Sequence, residues 1–132
     1  MLHRIKLFTL NLLLFFSHNI IASNTNQTLE VTQISKNVFS IIAPEKGLPN
    51  PMNKGWNSNV HFIITNNGVL LFDTGSSEAL GNQIKNAIKT VTDQPVKWIV
   101  NSHSHADHWL GNNAFSLTID EIISSKSSME NM

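Results

Sequence analysis

The stretch from Val69 to Val100 constrains the fold more than any other. Val69-Leu70-Leu71-Phe72 is an unbroken apolar run. It is too short for a helix and lacks the alternation of a half-exposed strand, so it reads as a strand covered on both faces. The run stops at Asp73-Thr74-Gly75, after which Leu80, Ile84, Ala87, Ile88 and Val91 recur at helical spacing with Lys85 and Lys89 outside the stripe. Ser76 or Ser77 can cap this helix, and Glu78 sits favourably at its positive end. Asp93-Gln94-Pro95 ends it, and Val96 to Val100 begins a new strand. Strand, helix and strand in that order form a right-handed crossover with parallel strands. Both carboxyl ends then lie at one edge of the sheet, the edge at which open α/β sheets bind ligands.

The second strand runs into Asn101-Ser102-His103-Ser104-His105-Ala106-Asp107-His108, which holds three of the chain's six histidines. That composition is typical of metal ligands. His103 and His105, one residue apart, can turn both imidazoles to one side of an extended loop and offer two nitrogens to one metal at about 2.0–2.1 Å. Asp107 and His108 are adjacent and face differently, so they suit an oxygen and a nitrogen on a second ion nearby. A water shared between two such ions, acidified towards hydroxide, would be the nucleophile. Asp73 ends the strand beside this loop. It is expected to accept backbone hydrogen bonds in its own turn or to orient a ligand from behind, rather than to bind metal itself. His61, alone in a strand, and Trp56, in a loop, receive no role.

Around this centre the remaining elements are short. Leu29 to Ile34 and Val38 to Ile42 read as a hairpin about Ser35-Lys36-Asn37. Ala43 to Ser58 holds Pro44, Gly47, Pro49, Pro51 and Gly55 and reads as a long loop. Val60 to Thr65 should pair antiparallel with Val69 to Phe72 through Asn66-Asn67-Gly68. Beyond the histidines come a short helical turn from Trp109 to Phe115 broken at Gly111, a strand from Glu121 to Ser124, and a helix from Ser125 to Met132.

Charge and the amino terminus narrow the partners. Nine basic and nine acidic side chains cancel, which argues against a nucleic-acid surface or a polybasic membrane patch and for a small-molecule substrate. His3, Arg4 and Lys6 precede an apolar run from Leu7 to Phe16 and a small-residue site at Ile20-Ile21-Ala22-Ser23. Residues 1–22 therefore read as a secretory signal peptide cleaved after Ala22. Ten residues of helix rise only about 15 Å, half a bilayer core, so no stable membrane anchor is expected. Residues 23–28 are then a flexible leader and 29–132 the domain, in a periplasmic or secreted product. The chain has no Cys, so any metal must use histidine and carboxylate.

Two segments together, Val69-Leu70-Leu71-Phe72-Asp73-Thr74-Gly75 and Asn101-Ser102-His103-Ser104-His105-Ala106-Asp107-His108-Trp109-Leu110-Gly111-Asn112, resemble the amino-terminal half of a metallo-β-lactamase superfamily hydrolase. The resemblance runs from about Leu29 to the last residue and is most specific at the histidines. It implies an α/β (α+β) fold, the amino-terminal half of a four-layer αββα sandwich. It implies two zinc ions in a complete site, with His103 and His105 on the first and Asp107 and His108 on the second, and Asp107 as the candidate catalytic residue. His108 in its position is similar to the glyoxalase II type and to one β-lactamase subclass. The superfamily also includes thioesterases, phosphodiesterases, alkylsulfatases and iron-dependent dioxygenases, so the substrate stays open among esters, thioesters and lactams, and iron is an alternative to zinc. Such proteins take further ligands from a downstream His, Asp and His. After His108 this chain has no His and only Asp120, Glu121 and Glu130 as carboxylates. The expectation is a truncated domain with an incomplete site, an apolar sheet face left uncovered, and a complementing carboxyl-terminal half or self-association to cover it. A non-catalytic remnant or binding module with the same half-fold is the alternative.

Overall fold

The computed structural model describes residues 28–45 and 47–132. The expected signal peptide and nearly all of the expected leader lie outside them. Six strands form one sheet in chain order: β1 (Thr32–Ser35), β2 (Val38–Ile41), β3 (Val60–Ile64), β4 (Val69–Phe72), β5 (Val96–Val100) and β6 (Glu121–Ile123). β1 to β4 pair antiparallel, whereas β4, β5 and β6 are parallel. Helix α1 (Glu78–Lys89) connects β4 to β5, a short α2 (Ala106–Trp109) and a 3-10 turn (Asn112–Phe115) follow, and α3 (Lys126–Glu130) comes last. This mixed α+β arrangement is the half-sandwich expected from the sequence.

α1 begins where Ser77 accepts a hydrogen bond from Leu80 N–H at 3.2 Å. Glu78 in its first turn and Lys89 in its last complement the helix dipole. Leu80, Ile84, Ala87 and Ile88 are buried against the sheet with Phe39, Ile41, Val60, Phe62, Val69, Leu71, Val96 and Ile99, and Ala114 and Phe115 join them from the 3-10 turn. Phe39 and Phe62, paired across β2 and β3, stack with ring centroids 5.0 Å apart.

Three details differ from the expectation. Val91 does not join the apolar stripe: the Thr90 hydroxyl donates back to Ala87 O at 2.7 Å, the helix stops there, and Val91 is left exposed. β1 starts only at Thr32, with Leu29 and Val31 packing on the core from outside the strand. β4 is not covered on both faces, because Val69 and Leu71 are fully buried while Phe72 is 38% exposed. The pairing explains this. Phe72 lies on the sheet face opposite α1 with Ile63, which is 40% exposed, and Ile123, which is 42% exposed. Among the described residues, α1 packs on the other face.

Candidate metal centre

The parallel pair β4 and β5 brings two turns together at the carboxyl edge of the sheet. Asp73 N–H donates to Val100 O at 2.9 Å, and Thr74 N–H to His108 O at 2.8 Å. Asp73 has φ 63, a left-handed conformation that Asp tolerates better than most residues. That turn points its carboxylate inward, where the residue is 3% exposed.

The carboxylate is occupied by the histidine stretch. Ser102 N–H donates to Asp73 Oδ1 at 2.8 Å, Ser102 Oγ lies 2.8 Å from Oδ2, and His108 Nδ1 lies 2.7 Å from the same Oδ2. With Nδ1 held, the other nitrogen of His108, Nε2, faces Asp107 Oδ2 at 3.6 Å. That is too long for a hydrogen bond. It is close to the roughly 3.4 Å that separates two donors on one tetrahedral ion with bonds of about 2.0–2.1 Å. The rings of His103 and His108 have centroids 4.0 Å apart, and those of His103 and His105 4.7 Å, edge to face.

In kind, three imidazoles and a carboxylate fit a first-row divalent ion. In arrangement they fit as part of a shell: among the described residues no group of three or more His, Cys, Asp or Glu side chains is placed to hold one ion. The four expected ligands are neighbours that meet in pairs.

The frame around them is polar and locked. Asn101 is buried and exchanges amide hydrogen bonds with Asn112, at 3.2 Å from Asn101 Nδ2 and 2.9 Å from Asn112 Nδ2. Thr74 Oγ1 donates to Asn112 Oδ1 at 2.8 Å. The Trp109 indole N–H donates to Ser104 O at 3.0 Å, closing the histidine loop on α2. From the long loop, the buried Ser58 hydroxyl donates to Asp107 O. Trp56 packs partly buried beside it, with Nε1 donating to Ser58 O at 2.9 Å. His61 lies outside the cluster, on β3 with Nδ1 2.6 Å from Ser40 Oγ.

Sequence reasoning missed Ser102, Thr74, Asn101, Asn112 and Ser58. Asn101 carried a signal, since it continues the buried alternation of β5 two residues past Ile99. Ser58 carried none, because only the fold brings it to Asp107.

Comparison with known proteins identifies the family and the fold. Residues 53–123 match the family model of the metallo-beta-lactamase superfamily. A metallo-beta-lactamase crystal structure from Hirschia baltica superposes with a TM-score of 0.61 at 17% identity, over 79% of this chain and 46% of that one. A metallo-beta-lactamase from Pontibacter korlensis superposes with a TM-score of 0.59 at 27% identity, over 76% of this chain and 45% of that one. The chain thus spans less than half the length of either structure. No curated protein sequence matches it.

Proposed function

Because the chain belongs to the metallo-beta-lactamase superfamily, whose members are generally hydrolases that bind metal ions, usually zinc, we propose that it carries the zinc-binding amino-terminal portion of an exported hydrolase. Its substrate is a small-molecule ester, thioester or lactam. The observation that carries this reading is the buried Asp73 carboxylate behind His108, with the rings of His103 and His105 beside it. A buried acid that orients an imidazole from behind is the usual support of a histidine ligand.

His103 and His105 would hold one zinc, and Asp107 with His108 a second; iron suits the same donors. A bound zinc supplies Lewis acidity that polarises a carbonyl oxygen and lowers the pKa of water. The chain's own residues do the rest. Asp73 fixes the ring of His108, Ser58 and Trp109 fix the backbone before it at Asp107 and Ser104, and the Asp107 carboxylate faces His108 Nε2. The remaining ligands come from a complementing carboxyl-terminal segment, which would also cover the sheet face bearing Ile63, Phe72 and Ile123. Residues 1–22 direct export, and 29–132 are the domain.

A non-catalytic binding module with the same half-fold is the second reading, favoured by the pairwise meeting of the donors among the described residues. Zinc titration of the full chain, followed by an ester, thioester and β-lactam panel with and without a complementing carboxyl-terminal half supplied in trans, separates the two. Stoichiometric zinc with hydrolysis on complementation supports the enzyme. Zinc uptake without turnover under any complementation supports the module, and absence of zinc uptake removes the metal reading.

A further inference from the structure

We propose that Ser102 is a positioning residue through which the single buried carboxylate of Asp73 sets the tautomers of two imidazoles, His108 directly and His103 by relay. Its functional meaning rests on the metal-binding reading above; the proton positions themselves do not.

An ionised carboxylate only accepts hydrogen bonds, and a serine hydroxyl has one proton to give. Ser102 Oγ lies 2.8 Å from Asp73 Oδ2. Two oxygens at that distance need a proton between them, and the acceptor-only partner cannot supply it. The hydroxyl proton of Ser102 therefore points at Asp73. His103 Nδ1 lies 2.9 Å from the same Ser102 Oγ. Because the hydroxyl proton is committed, the oxygen can only accept there, and His103 carries its proton on Nδ1. His108 reaches the same state by a shorter route, its Nδ1 lying 2.7 Å from Asp73 Oδ2. The opposite polarity at His103 would require Ser102 to donate to the ring and leave two lone pairs facing across 2.8 Å. The other oxygen of the same carboxylate accepts the Ser102 backbone N–H at 2.8 Å.

In the neutral imidazoles, both rings then present an unprotonated Nε2. A ring nitrogen binds metal only through a free lone pair, so the tautomer decides which nitrogen is available. Ser102 thereby extends to His103 what Asp73 does for His108, and links the two ligand pairs that the sequence assigns to different ions.

The test is the tautomeric state of each histidine in the 15N-labelled, chelator-treated full chain, read from long-range proton–nitrogen correlations at about pH 8.5, above the ordinary range of histidine titration. Expected are Nδ1–H forms at both His103 and His108 in the wild type. In Ser102→Ala, His103 shifts to the Nε2–H form while His108 stays Nδ1–H, and Ser102→Thr, which keeps the hydroxyl, restores the wild-type pattern. A wild-type His103 that is already Nε2–H overturns the proposal, as does a His103 spectrum that Ser102→Ala leaves unchanged. If Ser102→Ala does not fold, the wild-type and Ser102→Thr spectra still decide. The metal-free sample keeps the outcome separate from zinc uptake, whose absence would overturn the metal reading alone.

Discussion

Gly111 and Thr74 meet backbone to backbone: a Cβ added at Gly111 would stand 2.0 Å from Thr74 O. Gly111 N–H also donates to Gly75 O at 3.1 Å, so the turn after the histidines is fastened to the turn after β4. Helix α1 closes the third side, where a Cβ on Gly81 would lie 2.6 Å from Gly111 O. The obstructing oxygens are backbone and cannot swing aside.

Gly111→Ala should therefore destabilise the fold by about 3 kcal/mol or more, at the upper end of overpacking costs. Gly47→Ala is the control, since its Cβ meets nothing within 4 Å and only its φ of +70 is unfavourable; a cost of about 1–2 kcal/mol is expected there. Urea unfolding midpoints compare the two. Equal losses would mean that the contact with Thr74 does not constrain the turn.

Asn101 and Asn112 should show strong coupling. Each amide satisfies the other, and Asn112 Oδ1 also accepts from Thr74. Replacing Asn112 by Ala leaves the buried Asn101 amide unmet, and replacing Asn101 does the same to the half-buried Asn112 N–H, for about 1–3 kcal/mol at most. Removing both should cost clearly less than the sum, with a coupling energy of about 1–2 kcal/mol in a double-mutant cycle. Simple additivity would count against a shared network.

Asp73→Asn retains a side chain that accepts the left-handed backbone, yet gives up the charge and one acceptor oxygen. Zinc affinity is expected to fall by about 10–100-fold, the usual loss when the group behind a histidine ligand is changed. Isothermal titration reads this directly. An unaltered zinc isotherm would show that the carboxylate orients nothing relevant to metal.

His61 and His103 distinguish a packed histidine from a ligand. His61→Ala breaks only the cross-strand contact to Ser40, so zinc uptake should stay unchanged, whereas His103→Ala should weaken it by more than about tenfold. Parallel zinc titrations check the pair, and a loss confined to His61→Ala would displace the proposed centre.

The open sheet face makes a prediction about association. Ile63 and Phe72 are 40% and 38% exposed on the face opposite α1. Replacing both by Thr should reduce self-association while changing stability by less than about 0.5 kcal/mol per site, as for surface positions. Light scattering after size exclusion measures the first and urea unfolding the second. A double variant that associates as strongly as the wild type would place the sticky surface elsewhere.

Much of this fold was legible because its signals are local. The apolar run at Val69, the stripe from Leu80 to Ile88 and the turn at Asn66-Asn67-Gly68 each stand within one element, and each produced the element expected. Phe72 misled because a continuous apolar run looks the same whether its second face meets a helix or stays open. Val91 misled because the competing bond from Thr90 to Ala87 is invisible to periodicity. At the site, the histidines and Asp73 stood out by residue type. Ser102 did not, since one hydroxyl among many gains meaning only from Asp73, 29 positions away. The parallel seat of β6 beside β5 likewise depends on the fold, not on the three residues that form it.

The bonds from Asp73 and Thr74 to the histidine stretch and Asn112 span separations of 29 to 38 residues. Loops of that size close at modest entropic cost, and growing chains order early those contacts that need little downstream sequence. The contacts that frame the imidazoles thus close almost entirely within one stretch of chain, from Asp73 to Asn112, with the Ser58 hydroxyl on Asp107 as the contact from outside it.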